Sequence, residues 1–345
     1  VFEGPGMDAF AESPEWGGSL VIFPFMYYET YGDDSLIKKY YPNMRRYVDY
    51  LKTRAEMGIL SFGLGDWYDY GDFRAGFSRN TPVPLVATAH YYMTVMFLIK
   101  AAKMVGNDFD IHYYTSLAHE ILASFNKCFL NKETAQYGTG SQCSNALPLF
   151  LQMTQDSDEQ GSYQPDAKLD EKVLMNLIKD VEAHGNRLTT GDVGNRYLIQ
   201  TLARNGQHEL IYKMFNHEEA PGYGFQLKFG ATTLTEQWDP RQGSSWNHFM
   251  MGQIDEWFFN SLVGIRPSTT YQKFIIAPQP VGDLKYVKAS YETLYGTIVV
   301  DWTSQNGIFT LNISVPVNTT AVVYLPGEKE PKEIQSGTYQ LVCAR

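Results

Sequence analysis

Glu236 stands in the run "TTLTEQWDP" (232–240), two residues before Trp238, and a second run, "GLGDWYDYGD" (63–72), sets Asp66, Asp69 and Asp72 among Trp67, Tyr68 and Tyr70. A positioned carboxylate can take a proton from water, and an indole face stacks on the C–H side of a sugar ring. Acid beside aromatic therefore suits the recognition and hydrolysis of a polyhydroxylated ligand. The same residues also describe an ordinary loop in which Glu236 caps a helix, Asp66 caps a turn and Trp67 fills the space between helix ends. Asp69 and Asp72 read as solvated turn residues.

The densest stretch is 218–250, "EEAPGYGFQLKFGATTLTEQWDPRQGSSWNHFM". Gly222, Gly224 and Gly230 should break regular structure there and let backbone approach a ligand. His248 follows the polar "GSSWN" at the expected start of the last helix, where it can help Glu236 hold a sugar. Trp16 in "ESPEWGGS" (12–19) precedes the first long helix and can face the same space. In "RLTTGDVGNRYL" (187–198), Thr190 or Asp192 is the expected N-cap of the helix that follows. His90, His112 and His119 lie in helical patterns and read as structural or surface residues. Cys128, Cys143 and Cys343 show no CxxC or His/Cys spacing, so no metal site is expected and no cofactor is called for. Cys128 lies among apolar helical residues and is expected in the core. Signatures of serine hydrolases, P-loops, zincins and dinucleotide folds do not occur.

These segments must be held by regular elements, and the period of the apolar residues divides the chain in two. Up to about residue 265 it is helical. Ile37, Tyr41, Met44, Val48 and Leu51 share one face, as do Leu117, Ile121, Leu122 and Phe125, and Val173, Leu177 and Val181. Roughly eight or nine such helices can be read. Long joins at 57–81, 131–141, 155–167 and 218–246 alternate with short ones, the signature of helical hairpins whose functional loops gather at one end. Beyond Pro267 the period becomes two. Ile298, Val300 and Trp302 alternate in one run and Phe309, Leu311, Ile313 and Val315 in the next, with a hairpin turn at "QNG" (305–307). The expected division is a helical domain over 1–265 and a small antiparallel β-sandwich over 266–345.

Composition narrows the function. The 345 residues are 44% hydrophobic and 19% charged, an ordinary globular balance. A formal net charge of −10 without a basic patch argues against nucleic acid as partner. No apolar run approaches the roughly 20 residues of a membrane span, so no membrane partner is expected.

Taken in order, "SPEWGGSLVIFPFMYYETYGD", "YYPNMRRYVDYL", "GDWYDYG", "TPVPLVATAHYY", "TTGDVGNRYL", "GYGFQLKFGATTLTEQWD" and "NHFMMGQIDEWFFNSLVGI" resemble the α-L-rhamnosidases of glycoside hydrolase family 78. The tail with "VPVNTTAVVYLP" looks like that family's C-terminal β-domain. The resemblance implies an (α/α)6 barrel, incomplete in this chain, and inverting hydrolysis of terminal α-L-rhamnose from a rhamnose-containing glycan or glycoside. It places the general base at Glu236 and the rhamnose subsite at Trp16, Asp66, Trp67 and His248. The family's acid is a glutamate in a motif like RE(K/R)LGW ahead of "PEW", and that motif does not occur here. The expectation is that Val1 lies within the barrel and that the acid belongs to the remainder of the same enzyme, N-terminal to Val1. A periplasmic or extracellular location follows by analogy with glycan-degrading bacteria. Two other readings stay open. One is a non-catalytic carbohydrate-binding homologue. The other is an (α/α)6 enzyme acting on another sugar or a uronate, for which Arg196 and Arg241 are the nearby arginines.

Overall fold

The computed structural model describes residues 12–157, 163–243 and 245–345. Among them the helical part comprises α1 (Pro14–Gly17), α2 (Ser19–Tyr31), α3 (Ser35–Arg54), α4 (Val83–Val105), α5 (Asp108–Phe129), α6 (Gln142–Phe150), α7 (Ala167–Ala183), α8 (Gly194–Arg204), α9 (His208–Phe215), α10 (Tyr223–Lys228) and α11 (Ile254–Trp257). The last passes directly into a single π-helical turn at Phe258–Val263.

Each long helix buries the stripe its sequence draws. In α3, Ile37, Tyr41, Met44, Val48 and Leu51 are buried, while Tyr40 stays at the surface. α5 buries Leu117, Ile121, Leu122 and Phe125, and starts where the Asn107 side chain accepts the Asp110 N–H. Cys128 is exposed, contrary to the core position expected, because the buried stripe of α5 turns away after Phe125. α4 is apolar on nearly every side. It is long and apolar enough to cross a membrane, which corrects the reading that no run approaches that length, but 83% of the apolar window is buried within the fold. It is the central helix against which α3 and α5 pack. Two short ladders, β1 (Leu130–Asn131) with β2 (Gln136–Tyr137) and β3 (Gln155–Ser157) with β4 (Tyr163–Pro165), occupy two of the long joins.

The chain forms two compact units. The first contains, of the described residues, those up to Phe25, Ser35–Thr201 and Met214–Gly252. The second contains Met26–Asp34, Leu202–Lys213 and Gln253–Arg345, and so draws on helical as well as strand segments. Its strands are β5 (Ile265–Thr269), β6 (Lys273–Ile276), β7 (Tyr286–Thr293), β8 (Gly296–Gln305), β9 (Ile308–Val315), β10 (Thr320–Val323), β11 (Lys332–Ile334) and β12 (Gly337–Ala344).

β12, β9, β8 and β7 make one antiparallel sheet in that order. Asn306 and Gly307 both take positive φ between β8 and β9, the two-residue turn that a right-twisted hairpin favours. The alternating residues of both strands bury Ile298, Val300, Trp302, Phe309, Leu311 and Ile313, and the Trp302 indole donates to Leu262 O at 2.9 Å. The second sheet, β11-β10-β6-β5, is mixed: β10 pairs parallel with β6. The expected all-antiparallel module is corrected there, since a parallel pair needs a long crossover and β7 to β9 supply it.

Candidate active site

Three segments of the first unit converge. The 189–194 stretch, "TTGDVG", is the strut between the other two. On one side it meets the "GDWYD" loop: Tyr70 N–H donates to Thr189 O (3.1 Å), Asp192 N–H to Trp67 O (2.7 Å) and Gly194 N–H to Asp66 Oδ1 (2.6 Å). On the other side the buried Trp238 indole donates to Thr190 O (3.4 Å), which attaches the "TEQWD" loop. The strut's entry is tied by Gln142, whose Oε1 accepts the Thr189 N–H (2.8 Å) and whose amide donates to Arg187 O (3.0 Å).

The loop carrying Glu236 is paired with the segment that returns from 243. Glu236 N–H donates to Ser245 O (2.9 Å), Ser245 N–H to Glu236 Oε2 (3.2 Å), and His248 N–H to Leu234 O (2.9 Å). The carboxylate is 23% exposed, and His248 Nδ1 lies 3.9 Å from its Oε1. Glu236 is thus fixed at both backbone and side chain while still open to solvent. His248 belongs to this pairing, ahead of a 3-10 turn at Met250–Gln253, rather than to the helix start expected for it. Gly222 and Gly230 do lie outside regular structure, but Gly224 sits inside α10, which the three glycines had argued against.

Trp67 is half-buried, edge-on to Tyr68 (5.0 Å, 66°) and to Phe77 (5.2 Å, 85°). Trp16 is 37% exposed on α1. Asp66 departs from the expectation that it offers its carboxylate to sugar hydroxyls. It is fully enclosed, with Oδ1 on the Gly194 N–H and the Cys143 thiol against the carboxyl group. Oδ1 is taken by the strut and Oδ2 is buried without a hydrogen-bond partner among the described residues, so what the carboxyl group holds in place is the strut beside Trp67. Burial, the dominant cause, pushes its pKa up to about 7. Asp69 is likewise no solvated turn residue: it is buried and its Oδ2 accepts from Arg79 N–H (2.7 Å) and Asn80 N–H (2.6 Å), closing the loop.

Asp192 is the residue that sequence reasoning missed. Read from sequence only as a candidate helix cap, it is buried, and its pKa is pushed up to about 9 by burial first and then by the charges of Asp66 and Glu236. Burial, with the same Glu236 and Asp192 charges behind it, raises the Tyr68 phenol. Asp192, Tyr68 and Glu236 therefore share one electrostatic neighbourhood. The signal that could have found it is its position between two glycines, in a run too tight for a solvated carboxylate.

A stability consequence follows. Between its unfolded value near 4 and about 9, the folded state holds a proton on Asp192 that the unfolded state releases. Its contribution is therefore present at low pH and lost as pH rises through that window, at about 1.4 kcal/mol per unit. Asp192→Asn cannot titrate, so its stability relative to wild type should rise by about 3 kcal/mol from pH 6 to pH 8. Urea unfolding of both proteins at the two pH values measures this, and an unchanged difference would place Asp192 in contact with water.

Among the described residues no group of His, Cys, Asp and Glu side chains has the arrangement of a metal site. Arg241, one of the arginines a uronate would need, is spent on Asp239 in a two-pronged pair (2.8 and 2.8 Å).

Residues 3–262 match the family model described as the bacterial alpha-L-rhamnosidase 6 hairpin glycosidase domain, and 264–340 match the bacterial alpha-L-rhamnosidase C-terminal domain. The chain belongs to the bacterial α-L-rhamnosidase family. It is 27% identical over 332 residues to an alpha-L-rhamnosidase of Streptomyces avermitilis, covering 93% of this chain and 30% of that protein. To one of Formosa agariphila it is 29% identical over 343 residues, covering 94% and 35%. The α-L-rhamnosidase structure from Dictyoglumus thermophilum superposes with a TM-score of 0.86 at 30% identity, over 99% of this chain and 41% of that one. The S. avermitilis enzyme solved with L-rhamnose shares the fold (TM-score 0.83, 24% identity, 95% of this chain and 33% of that one). The chain thus spans about a third of the length of the curated relatives it matches.

Proposed function

We propose that this chain serves the hydrolysis of terminal α-L-rhamnose with inversion, and that Glu236 is the general base. The observation that carries the reading is the fixed, solvent-open carboxylate of Glu236 with His248 3.9 Å away. Inversion needs a base that deprotonates a water on the face of the anomeric carbon opposite the leaving oxygen, with roughly 6.5–9.5 Å to the acid so that the water fits. Glu236, tethered by Ser245 on one oxygen and addressed by His248 on the other, can hold such a water without changing rotamer. Trp67 and Trp16 supply indole faces for the C–H side and the methyl group of the sugar, and Asp66 acts by keeping Trp67 in place. Membership of the family and the L-rhamnose bound by the S. avermitilis enzyme support the choice of sugar.

The direct test is a panel of aryl glycosides with the anomer of the first-formed sugar followed by proton NMR. Selective release of rhamnose from the α-L-rhamnoside, appearing first as the β-anomer, is the expected result. First release of the α-anomer, or preference for another glycoside, would overturn it.

A further inference from the structure

Glu15 is an acid in the substrate-side loops to which the proposed reaction gives no task. It is part-buried next to Trp16 in the chain, and its side chain reaches the loop that bears Trp67. Oε1 accepts the Gly65 N–H at 3.0 Å, and Oε2 accepts the hydroxyl of Ser13. Ser13 Oγ in turn accepts the Leu64 N–H at 3.0 Å, so one carboxylate and one hydroxyl take up two successive backbone donors ahead of Asp66 and Trp67.

The approach is close on both sides. A Cβ on Gly63, which has φ +135, would lie 2.8 Å from Glu15 Oε2, so only glycine admits the carboxylate there. Burial is the main cause that pushes the Glu15 pKa up to about 7, and the fold retains the group at that cost. The charged and titratable neighbours are Glu12, itself hydrogen-bonded by the Tyr47 hydroxyl at 2.6 Å, and Arg54 beyond it. These bonds are the link between the segment bearing Trp16 and the loop bearing Trp67.

We propose that Glu15 is a positioning residue for substrate: it sets the spacing of the Trp16 and Trp67 indoles that take the sugar ring between them. The inference rests on the reading of those two tryptophans as sugar-facing. Its chemical consequence is confined to binding. The base and its tether belong to 234–248, and Glu15 has no bond to that segment among the contacts described above.

Glu15→Ala removes both acceptors, and Glu15→Gln keeps the shape and one acceptor while its amide can donate to Ser13. With an aryl α-L-rhamnoside, Glu15→Ala should raise KM about tenfold with kcat within about twofold, and Glu15→Gln should restore KM to within about threefold. Equilibrium binding of L-rhamnose, followed by tryptophan fluorescence, should weaken by the same factor. A fall in kcat with KM unchanged would overturn the proposal, as would wild-type kinetics in Glu15→Ala. If Glu15→Ala does not fold, Glu15→Gln with wild-type thermal stability and a KM raised about two- to threefold at unchanged kcat would support it. A Glu15→Gln variant that is less stable but binds L-rhamnose normally would overturn it. Failure of the wild-type protein to act on or bind any rhamnoside is a different result, and it removes the functional reading itself.

Discussion

In an intact enzyme, Glu236→Gln is expected to lower kcat on an aryl α-L-rhamnoside by about 10³- to 10⁴-fold, the range lost with a positioned base, while KM and thermal stability stay near wild type. Stability should hold because the Glu236 backbone N–H remains on Ser245 O and the amide oxygen can still accept the Ser245 N–H. Only the capacity to take a proton disappears. Azide supplies a further check, since an anionic nucleophile needs no base: added to Glu236→Gln it should restore turnover and yield the β-rhamnosyl azide. A rate within tenfold of wild type, or a variant that azide leaves unchanged, would remove Glu236 from the role. His248 serves as the comparison, because a side chain 3.9 Å from the carboxylate affects the orientation of the water more than its deprotonation.

What the sequence shows most clearly is whatever depends on period and local chemistry. The α3 and α5 stripes and the β8–β9 hairpin follow from residues close together in the chain, where side-chain direction repeats every 3.6 or 2 positions. The pairing of Glu236 with His248 was within reach for a similar reason: both lie in one loop of the 218–250 stretch. Less legible were the fates of individual acids. Asp66, Asp69 and Asp192 look alike in "GDWYD" and "TGDVG", and all three are buried: Asp69 by the far end of its own loop, the other two for reasons that arise far away in sequence. Asp66 meets Gly194, 128 residues on, and Asp192 meets the Trp67 carbonyl. No local pattern marks a carboxylate as buried, because its partners are backbone groups that only the folded loops bring to it. Cys128 failed in the opposite sense, since the end of a helix is where an apolar stripe most easily leaves the core. The parallel β6–β10 pair was hidden because alternation specifies a strand and says nothing about its neighbour's direction.

Gly191→Ala is the largest structural effect expected. A Cβ at this position would press into the carbonyl oxygen of Trp67 and lie 2.5 Å from Asp69 N and 2.8 Å from Asp66 O. All three are backbone atoms, so no side chain can rotate away, and either the strut or the "GDWYD" loop must move. Moving it breaks the Asp192–Trp67 and Gly194–Asp66 bonds and strands a buried carboxylate. The cost should be about 3 kcal/mol, which lowers the melting temperature by roughly 4 °C in a chain of this length. Activity should fall with it even at temperatures where the protein stays folded, because the strut holds Trp67 on one side and the Trp238 anchor of the Glu236 loop on the other. Gly206→Ala is the internal comparison: it has φ +71 but open space around the added atom, so it carries only backbone strain, about 1 kcal/mol, and should leave kcat/KM unchanged. If Gly191→Ala proves as mild as Gly206→Ala, the two loops do not touch as described, and the route by which Asp66 supports the site is gone.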